Sequence, residues 1–395
     1  MKRSYVNNIN WLIITQFLTF FYMVQVIQTI FMSKHGLSLY QIGIVYAVYQ
    51  LSKVTLELPT GIIADKYGRK ISTILGNAFL IISNLFAYFL KNYQGFIIAA
   101  IFQGVSYTLI SGASDALLID SIYASPNKKI VDKINAFLRC SRNVAIFLSS
   151  AIGGALAEQS MDLVYQITIA LQFLPIIVLT VFVIEPPYKK DDTEKYSFKK
   201  AIYHLLSNKL ILHLLLIGVF TSIAMIPIES HYFNYYLSFG ISEKYSGSIY
   251  GIQYLLSSMI ALFMYKPLKK IFSEKLVIYA PSLMMVSVVF FAIIPGVIAK
   301  SIFYFIALLL LCSYAPMLAS FIHGELESSY RASSLSIQSL LMALLAFVIQ
   351  PVFGKISDYY GYDNAIALIS VIAFLFLIYN SKKISGFHNN LKKYL

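Results

Sequence analysis

Twelve apolar stretches, each about as long as a bilayer is thick, leave this 395-residue chain little else to fold into. Crossing roughly 30 Å of hydrocarbon takes about 20 apolar residues in a helix. The stretches lie at 10–33, 39–64, 72–91, 95–123, 134–157, 163–184, 209–238, 244–265, 276–296, 301–323, 333–354 and 363–381. Charged residues make up 12% of the chain, about half the share of a soluble domain. Aromatic residues make up 15%, which suits interfacial belts and the lining of a cavity. The fold class expected is an all-α membrane protein with twelve transmembrane helices.

The net charge of +13 would suit a nucleic-acid partner, but the positions of the charges argue for a membrane instead. With the N-terminus in the cytoplasm, five basic residues fall in external loops (Lys34, Lys91, Lys244, Lys300, Lys355) and three inside spans (Lys53, Arg139, Arg142). The remaining 23 of 31 are cytoplasmic. That asymmetry sets both termini inside, and anionic lipid becomes the partner of the positive charge. Residues 1–10 are polar and the next apolar run is long enough to span, so no cleaved signal peptide is expected. Cys140 and Cys312 lie inside apolar segments, so neither a disulfide framework nor a metal site is expected.

Only one connector is long. Residues 185–208, EPPYKKDDTEKYSFKKAIYHLLSN, open on a pair of prolines and run polar. They divide the chain into an N-terminal six-helix bundle, 1–184, a linker, and a C-terminal bundle with a short tail, 209–395. The halves echo each other: GLSLYQIG (Gly36–Gly43) corresponds to GISEKYSG (Gly240–Gly247), with Ser38 and Ser242 placed to cap the incoming helices. Paired six-helix repeats are how many transporters build a central site that opens to alternate sides.

Between the second and third spans stands GIIADKYGRK (Gly61–Lys70), an abrupt burst of charge with two glycines. A positive-inside loop accounts for Lys66 and Lys70 but not for the full order of Gly, Asp, Gly, Arg and Lys. That order resembles the G-x-x-x-D-[RK]-x-G-[RK]-[RK] signature of the major facilitator superfamily, and Glu57–Gly61 reads ELPTG, a lead-in common in its bacterial exporters. The twelve spans, long central loop and repeat extend the resemblance over the whole chain. It implies the two-bundle major facilitator fold and a conformational latch at Gly61, Asp65, Gly68, Arg69 and Lys70. It also implies a substrate cavity lined by spans 1, 4, 7 and 10.

The chain departs from the drug/proton antiporters of that superfamily at two places. Gln103-Gly104 is present in span 4, but the Arg expected three residues earlier is Ala100. Span 5 reads Ser149-Ser150-Ala151-Ile152-Gly153-Gly154, without the usual Gly-Pro. The second-half counterpart of the signature, Tyr265–Lys269, has Lys269 in place of the Asp. Any proton coupling therefore has to rest on other residues.

Ionisable groups inside spans cost roughly 2.5–3.5 kcal/mol each on insertion scales and mark function. Lys53 and Glu57 lie at i, i+4 on span 2; Asp115 and Asp120 are on span 4; Arg139 and Arg142 are on span 5. At 1.5 Å per residue, Asp115 and Arg142 fall at the same depth, roughly 12 Å from the inner ends. Asp120 and Arg139 make a shallower pair beside the signature and join the latch. Burial favours a protonated acid and a nearby base an ionised one, so a carboxyl under both influences can load and release a proton. Asp115 fits best, followed by Glu57 and Glu229. A permanent network holding the first half together is the alternative.

The candidate substrate-binding residues are Gln25, Gln28, Lys53, Tyr107, Asp115, Arg142, Glu229, Tyr232 and Tyr314. No metal or cofactor motif occurs, nor a P-loop, and nothing suggests an enzyme. The expectation is a monomeric secondary transporter of the bacterial cytoplasmic membrane, a proton-coupled exporter of amphipathic drug-like compounds or metabolites. Proton-coupled uptake of a polar or zwitterionic nutrient is the alternative.

Overall fold

The computed structural model describes residues 2–125, 131–186, 207–259, 275–325 and 328–386, together with 263, 267, 270 and 271. Most of the expected linker and of Tyr265–Lys269 lies outside the described residues, as do the side chains of 323–336. The described elements are all helices: α1 Lys2–Phe20, α2 Val24–Lys34, α3 Leu39–Tyr67, α4 Arg69–Leu90, α5 Tyr93–Ala124, α6 Val131–Ala157, α7 Met161–Leu171, α8 Phe173–Phe182, α9 Lys209–Leu237, α10 Glu243–Met259, α11 Lys275–Ile293, α12 Val297–Glu325, α13 Ser328–Tyr360 and α14 Tyr362–Ser385. Because α1–α2 and α7–α8 are each one rod with a break, these make twelve rods, in register with the twelve apolar stretches.

Ten rods are long and apolar enough to cross a membrane. The two others are α3, which carries Lys53, Glu57, Asp65 and Lys66, and α10, whose described part has 17 residues. Helices are the form such segments must take, because hydrocarbon offers no partner to a free N–H or C=O.

The two breaks were not expected, since the sequence has neither Pro nor Gly at 21–23 or at 172. A buried chain of hydrogen bonds joins them. Tyr22 OH donates to Asn84 Oδ1 at 2.9 Å, and Asn84 Nδ2 donates to Gln172 Oε1 at 2.9 Å. Asn84 and Gln172 are each 2% exposed. At the first break, the backbone of Met23 lies where a side chain on Gly153 would stand. Tertiary contact marks the first break, while at the second Pro175 removes the backbone bond to Leu171 and adds a local cause.

The described residues fall into two compact units. One takes those up to 191 together with 233–255, and the other takes the rest. In the first unit α5 packs broadly on α3 and α4, and α1 lies against α5, α6 and α8. Its segment from α9 and α10 is seated by close contact: a Cβ on Gly154 would come within 3.0 Å of Gly247 Cα. Lys34 reaches Glu243 at 3.3 Å, and Asn234 Nδ2 donates to Ser33 Oγ at 3.1 Å. In the second unit α11 packs on α12 and α14, and α13 on α14.

Local structure repeats along the chain more closely than the sequence does. Gly36 and Gly240 both take positive φ, +86° and +77°. Each ends a helix with the same pair of backbone bonds, Gly36 N to Ser33 O with Leu37 N to Met32 O, and Gly240 N to Leu237 O with Ile241 N to Tyr236 O, a Schellman-type closure. Ser38 then caps α3 in a capping box with Gln41. Ser242 corrects the sequence expectation: its Oγ is buried without a hydrogen-bond partner among the described residues. Ser83 Oγ donates to Ala99 O, and Ser287 Oγ to Phe303 O, both sixteen residues on.

The same staple also occurs twice. Lys91 after α4 pairs with Asp162 in the first turn of α7 at 2.5 Å, and Lys300 in α12 pairs with Asp363 in the first turn of α14 at 3.0 Å. The two differ in burial. The Lys300 side chain is 3% exposed and also donates to the carbonyls of Phe291 and Ala292 at the end of α11, whereas Lys91 is 31% exposed. Lys300→Met should therefore cost about 2 kcal/mol of stability, and Lys91→Met about 0.5 kcal/mol. Thermal unfolding of the purified variants in detergent should rank them in that order.

Candidate functional site

The polar groups of the first unit line up in rows at i, i+4 spacing, which one helix face imposes. Tyr49, Lys53 and Glu57 form a row on α3; Gln103, Tyr107, Ser111 and Asp115 form one on α5. Gly104 brings these helices together. A Cβ there would stand 2.5 Å from Ser52 Cβ, 3.1 Å from Tyr49 O and 3.3 Å from Lys53 N. The close crossing carries the Lys53 ammonium to 4.0 Å from the Tyr107 ring centroid and 5.2 Å from that of Tyr49. Lys53 Nζ also donates to Gln50 Oε1 at 3.2 Å. Its neighbour one turn on, Glu57, is exposed, and no Lys53–Glu57 ion pair is found among the described residues.

Deeper along α5, Asp115 and Arg142 meet. Arg142 Nη2 donates to Asp115 Oδ1, and Arg142 Nε donates to Gln16 Oε1 at 3.1 Å. The guanidinium also lies over the Phe20 ring at 5.1 Å. The base is thus held from three sides, with its side chain 21% exposed, while Asp115 is 51% exposed. Tyr107, 48% exposed, lies within electrostatic reach of Glu57, Asp115 and Arg142. Of the other candidates, Gln25 is exposed and Gln28 Nε2 donates to Gln103 Oε1 at 3.4 Å. A half-open carboxylate, an aromatic-shielded ammonium and a clamped guanidinium therefore share one surface.

The second unit's candidates divide. Glu229 is exposed. Tyr232 and Tyr314 are each 1% exposed and serve packing. The Tyr314 hydroxyl donates to Thr221 Oγ1 at 2.6 Å, tying α12 to α9, and the Tyr232 ring lies 5.3 Å from that of Tyr304.

The signature turn is built differently from the sequence expectation. Gly68, at φ +100°, reverses the chain between α3 and α4, a conformation only Gly adopts readily. Arg69 then reaches Asp120 and Ala116 O of α5. Asp120 thus pairs with Arg69, not with Arg139, which is exposed. Arg69 opens α4 beside the last turns of antiparallel α5 and has the shorter path. Asp65 is exposed, and a Cβ on Gly61 would meet nothing within 4 Å.

Sequence reasoning missed Glu185, assigning it to the linker. Its carboxylate accepts the backbone N–H of Arg69 and of Lys70, each at 2.8 Å. It caps the positive end of α4, where an anion is favoured. Lys70 Nζ reciprocates at the end of α8, donating to Val183 O at 2.7 Å and Thr180 O at 3.3 Å. Asn8 completes the junction with two bonds to Ile184, N–H to Oδ1 and Nδ2 to O, both 2.8 Å. An acid directly after an apolar span, in a chain with a G-R-K turn elsewhere, was the available signal.

The family model of the Major Facilitator Superfamily matches residues 11–324. The chain belongs to that superfamily. Its members are multi-pass membrane transporters and not enzymes. Among its relatives is the uncharacterized MFS-type transporter YxaM of Bacillus subtilis, 25% identical over 227 residues, 54% of each chain; the chain thus matches about half of that relative's length. The fold is similar to that of the nucleoside transporter NupG, with TM-score 0.74, 14% identity, and 95% and 98% of the two chains covered. It is likewise similar to a D-xylose–proton symporter, with TM-score 0.73, 14% identity, and 95% and 97% covered.

Within this superfamily fold, Ala100, at the place of the antiporter Arg, is 1% exposed and packs in the core. The charge of this region comes instead from Lys53, brought in by the crossing at Gly104. Gly104→Ala should drive α3 from α5 and cost about 1–3 kcal/mol, as overpacking does. Combining it with Ser52→Gly should recover part of the loss, since Tyr49 O remains in the way. Unfolding of the four proteins of that double-mutant cycle measures the coupling; additive losses would show that the crossing does not matter.

Proposed function

We propose that this chain is a proton-coupled secondary transporter that exports small amphipathic molecules across a bacterial cytoplasmic membrane. In this reading it works as a monomer, with halves 1–184 and 209–395 joined by 185–208 and both termini in the cytoplasm. The observation that carries the reading is the half-open Asp115 carboxylate paired to a clamped Arg142. One oxygen is engaged and the other is open to a proton or to a cationic group. Proton and substrate then compete for a single charge, which is the linkage an exchanger requires. Tyr107 and Phe20 offer an amphipathic molecule its apolar contact.

Protonating Asp115 removes the charge that Arg142 faces. Gln16 and Phe20 keep the guanidinium in place, so the pair can reform when the proton leaves. Glu57 and Glu229, both exposed, rank behind Asp115 as proton carriers because neither has such a partner among the described residues. Proton-coupled uptake of a polar or zwitterionic solute is the second reading. Arg142 beside Asp115 and Lys53 over the Tyr107 ring favour it, as do the functions of the similar nucleoside transporter and xylose symporter.

Gly61, Asp65, Gly68, Arg69, Lys70, Asp120 and Arg139 act in this reading as the latch that decides which face is open. The ties of Arg69 to Asp120 and of Glu185 to the start of α4 support it. Because these groups touch no proposed substrate contact, Arg69→Ala should slow transport tenfold or more while leaving substrate affinity within a few-fold. A large affinity loss with normal turnover would move Arg69 into the binding site.

For the coupling step, Asp115→Asn in proteoliposomes should retain exchange of substrate between the two sides and lose its response to an imposed pH gradient. Uphill transport by that variant at the unmodified rate would remove Asp115 as proton carrier. With the gradient set acid outside, substrate leaving vesicles of native orientation marks export, and accumulation inside marks the uptake reading.

A further inference from the structure

On the second unit, α11 and α14 part to leave a groove of about 490 Å³. That volume is in the range of small-molecule sites. Its walls are Tyr279, Leu283, Val286, Phe374 and Ile378, and Lys382 stands in the lining at one end. Lys275 opens α11 and Lys383 ends α14 at that same end. α11 contains no acid, and the one acid of α14, Asp363, is at the far end, held by Lys300. The groove is therefore apolar along its length, with the Lys382 ammonium in its lining at the mouth; Glu274, next to Lys275 in the sequence, lies outside the described residues.

Two further observations describe what fits. From Lys382 to Phe374 the groove follows eight residues of helix, about 12 Å, which is most of the roughly 15 Å that one leaflet contributes to the hydrocarbon core. In the wall, Ser282 Oγ is buried without a hydrogen-bond partner among the described residues, leaving a donor for an ester or glycerol oxygen. Ser381, by contrast, is already used, its Oγ donating to Ile278 O at 2.7 Å. Lys383 leans over the Tyr379 ring at 5.6 Å, so Lys382, with no ion-pair partner among the described residues, is the ammonium of the groove lining.

We propose that this groove holds one acyl chain of an anionic phospholipid, with its phosphate on Lys382. Basic pockets between transmembrane helices take such headgroups, and the greasy walls exclude a purely polar ion. The site is separate from Asp115 and Lys53 and rests only on the helices lying in a membrane, so it stands whatever the transported substrate is.

The test uses the full chain in lipid nanodiscs carrying phosphatidylglycerol or phosphatidylcholine with a photoactivated diazirine in the acyl chain. Peptide mapping should find the phosphatidylglycerol label on 279–286 and 374–382, about fivefold above phosphatidylcholine, and Lys382→Gln should remove about that factor. Leu283→Trp, which fills the groove, should abolish label from both lipids; should it fail to fold, Lys382→Gln decides alone. Equal labelling by the two lipids, or labelling indifferent to Lys382→Gln, would overturn the proposal. So would displacement of the label by glycerol phosphate alone, which would mark a headgroup site with no acyl chain.

Discussion

Hydrocarbon gives a polypeptide no hydrogen-bond partner and no reason to bury one apolar face rather than another. The first fact makes every span a helix. The second removes the usual force that would bring helices together, leaving packing and a small number of polar contacts. In this chain those contacts are few and specific. Asn84 joins two helix breaks, Ser83 and Ser287 reach carbonyls of the neighbouring helix, and Asn8 fastens the start of the chain to Ile184. Without them the rods would have the right length but no fixed rotation or depth.

Charge is handled by the same economy. Lys300 is almost fully buried and survives because three acceptors surround it. Lys53, which forms no ion pair among the described residues, sits against aromatic faces, a favourable place for a desolvated ammonium. Arg142 is clamped by an amide, a carboxylate and a ring. Among these the Asp115–Arg142 pair differs in being open on the acid side. A fully closed pair would be structural; a half-open one can exchange its proton or its partner.

The junction at the signature shows why a charged turn is placed between two apolar rods. Gly68 lets α4 start where its N–H groups face Glu185, while Lys70 answers at the end of α8. Each helix end supplies the charge that the other end's dipole lacks. Arg69 adds a link to α5 through Asp120. The reversal at Gly68 thereby ties three helix ends into a unit that must move together or come apart together.

Much of this was legible in the residues alone. Span length and the absence of water fix helix, number and approximate limits, and i, i+4 spacing with 1.5 Å rise put Asp115 level with Arg142. Those are one-dimensional facts, set by a repeat and a rise. What depended on three dimensions was who meets whom. Asp120 has two arginines within plausible reach along the sequence, and only the Gly68 reversal selects Arg69. Glu185 looks like linker until α4 and α8 end side by side. The break at 21–23 has no Pro or Gly to cause it and meets Gly153, distant in sequence, whereas the break at 172 has Pro175 four residues beyond Leu171 as a local cause and Asn84 as its tertiary partner. Tyr232 and Tyr314 show the same limit: an apolar ring with a hydroxyl reads alike whether it faces a cavity or a core. Helix rotation decides which, and rotation is set by neighbours that periodicity cannot name.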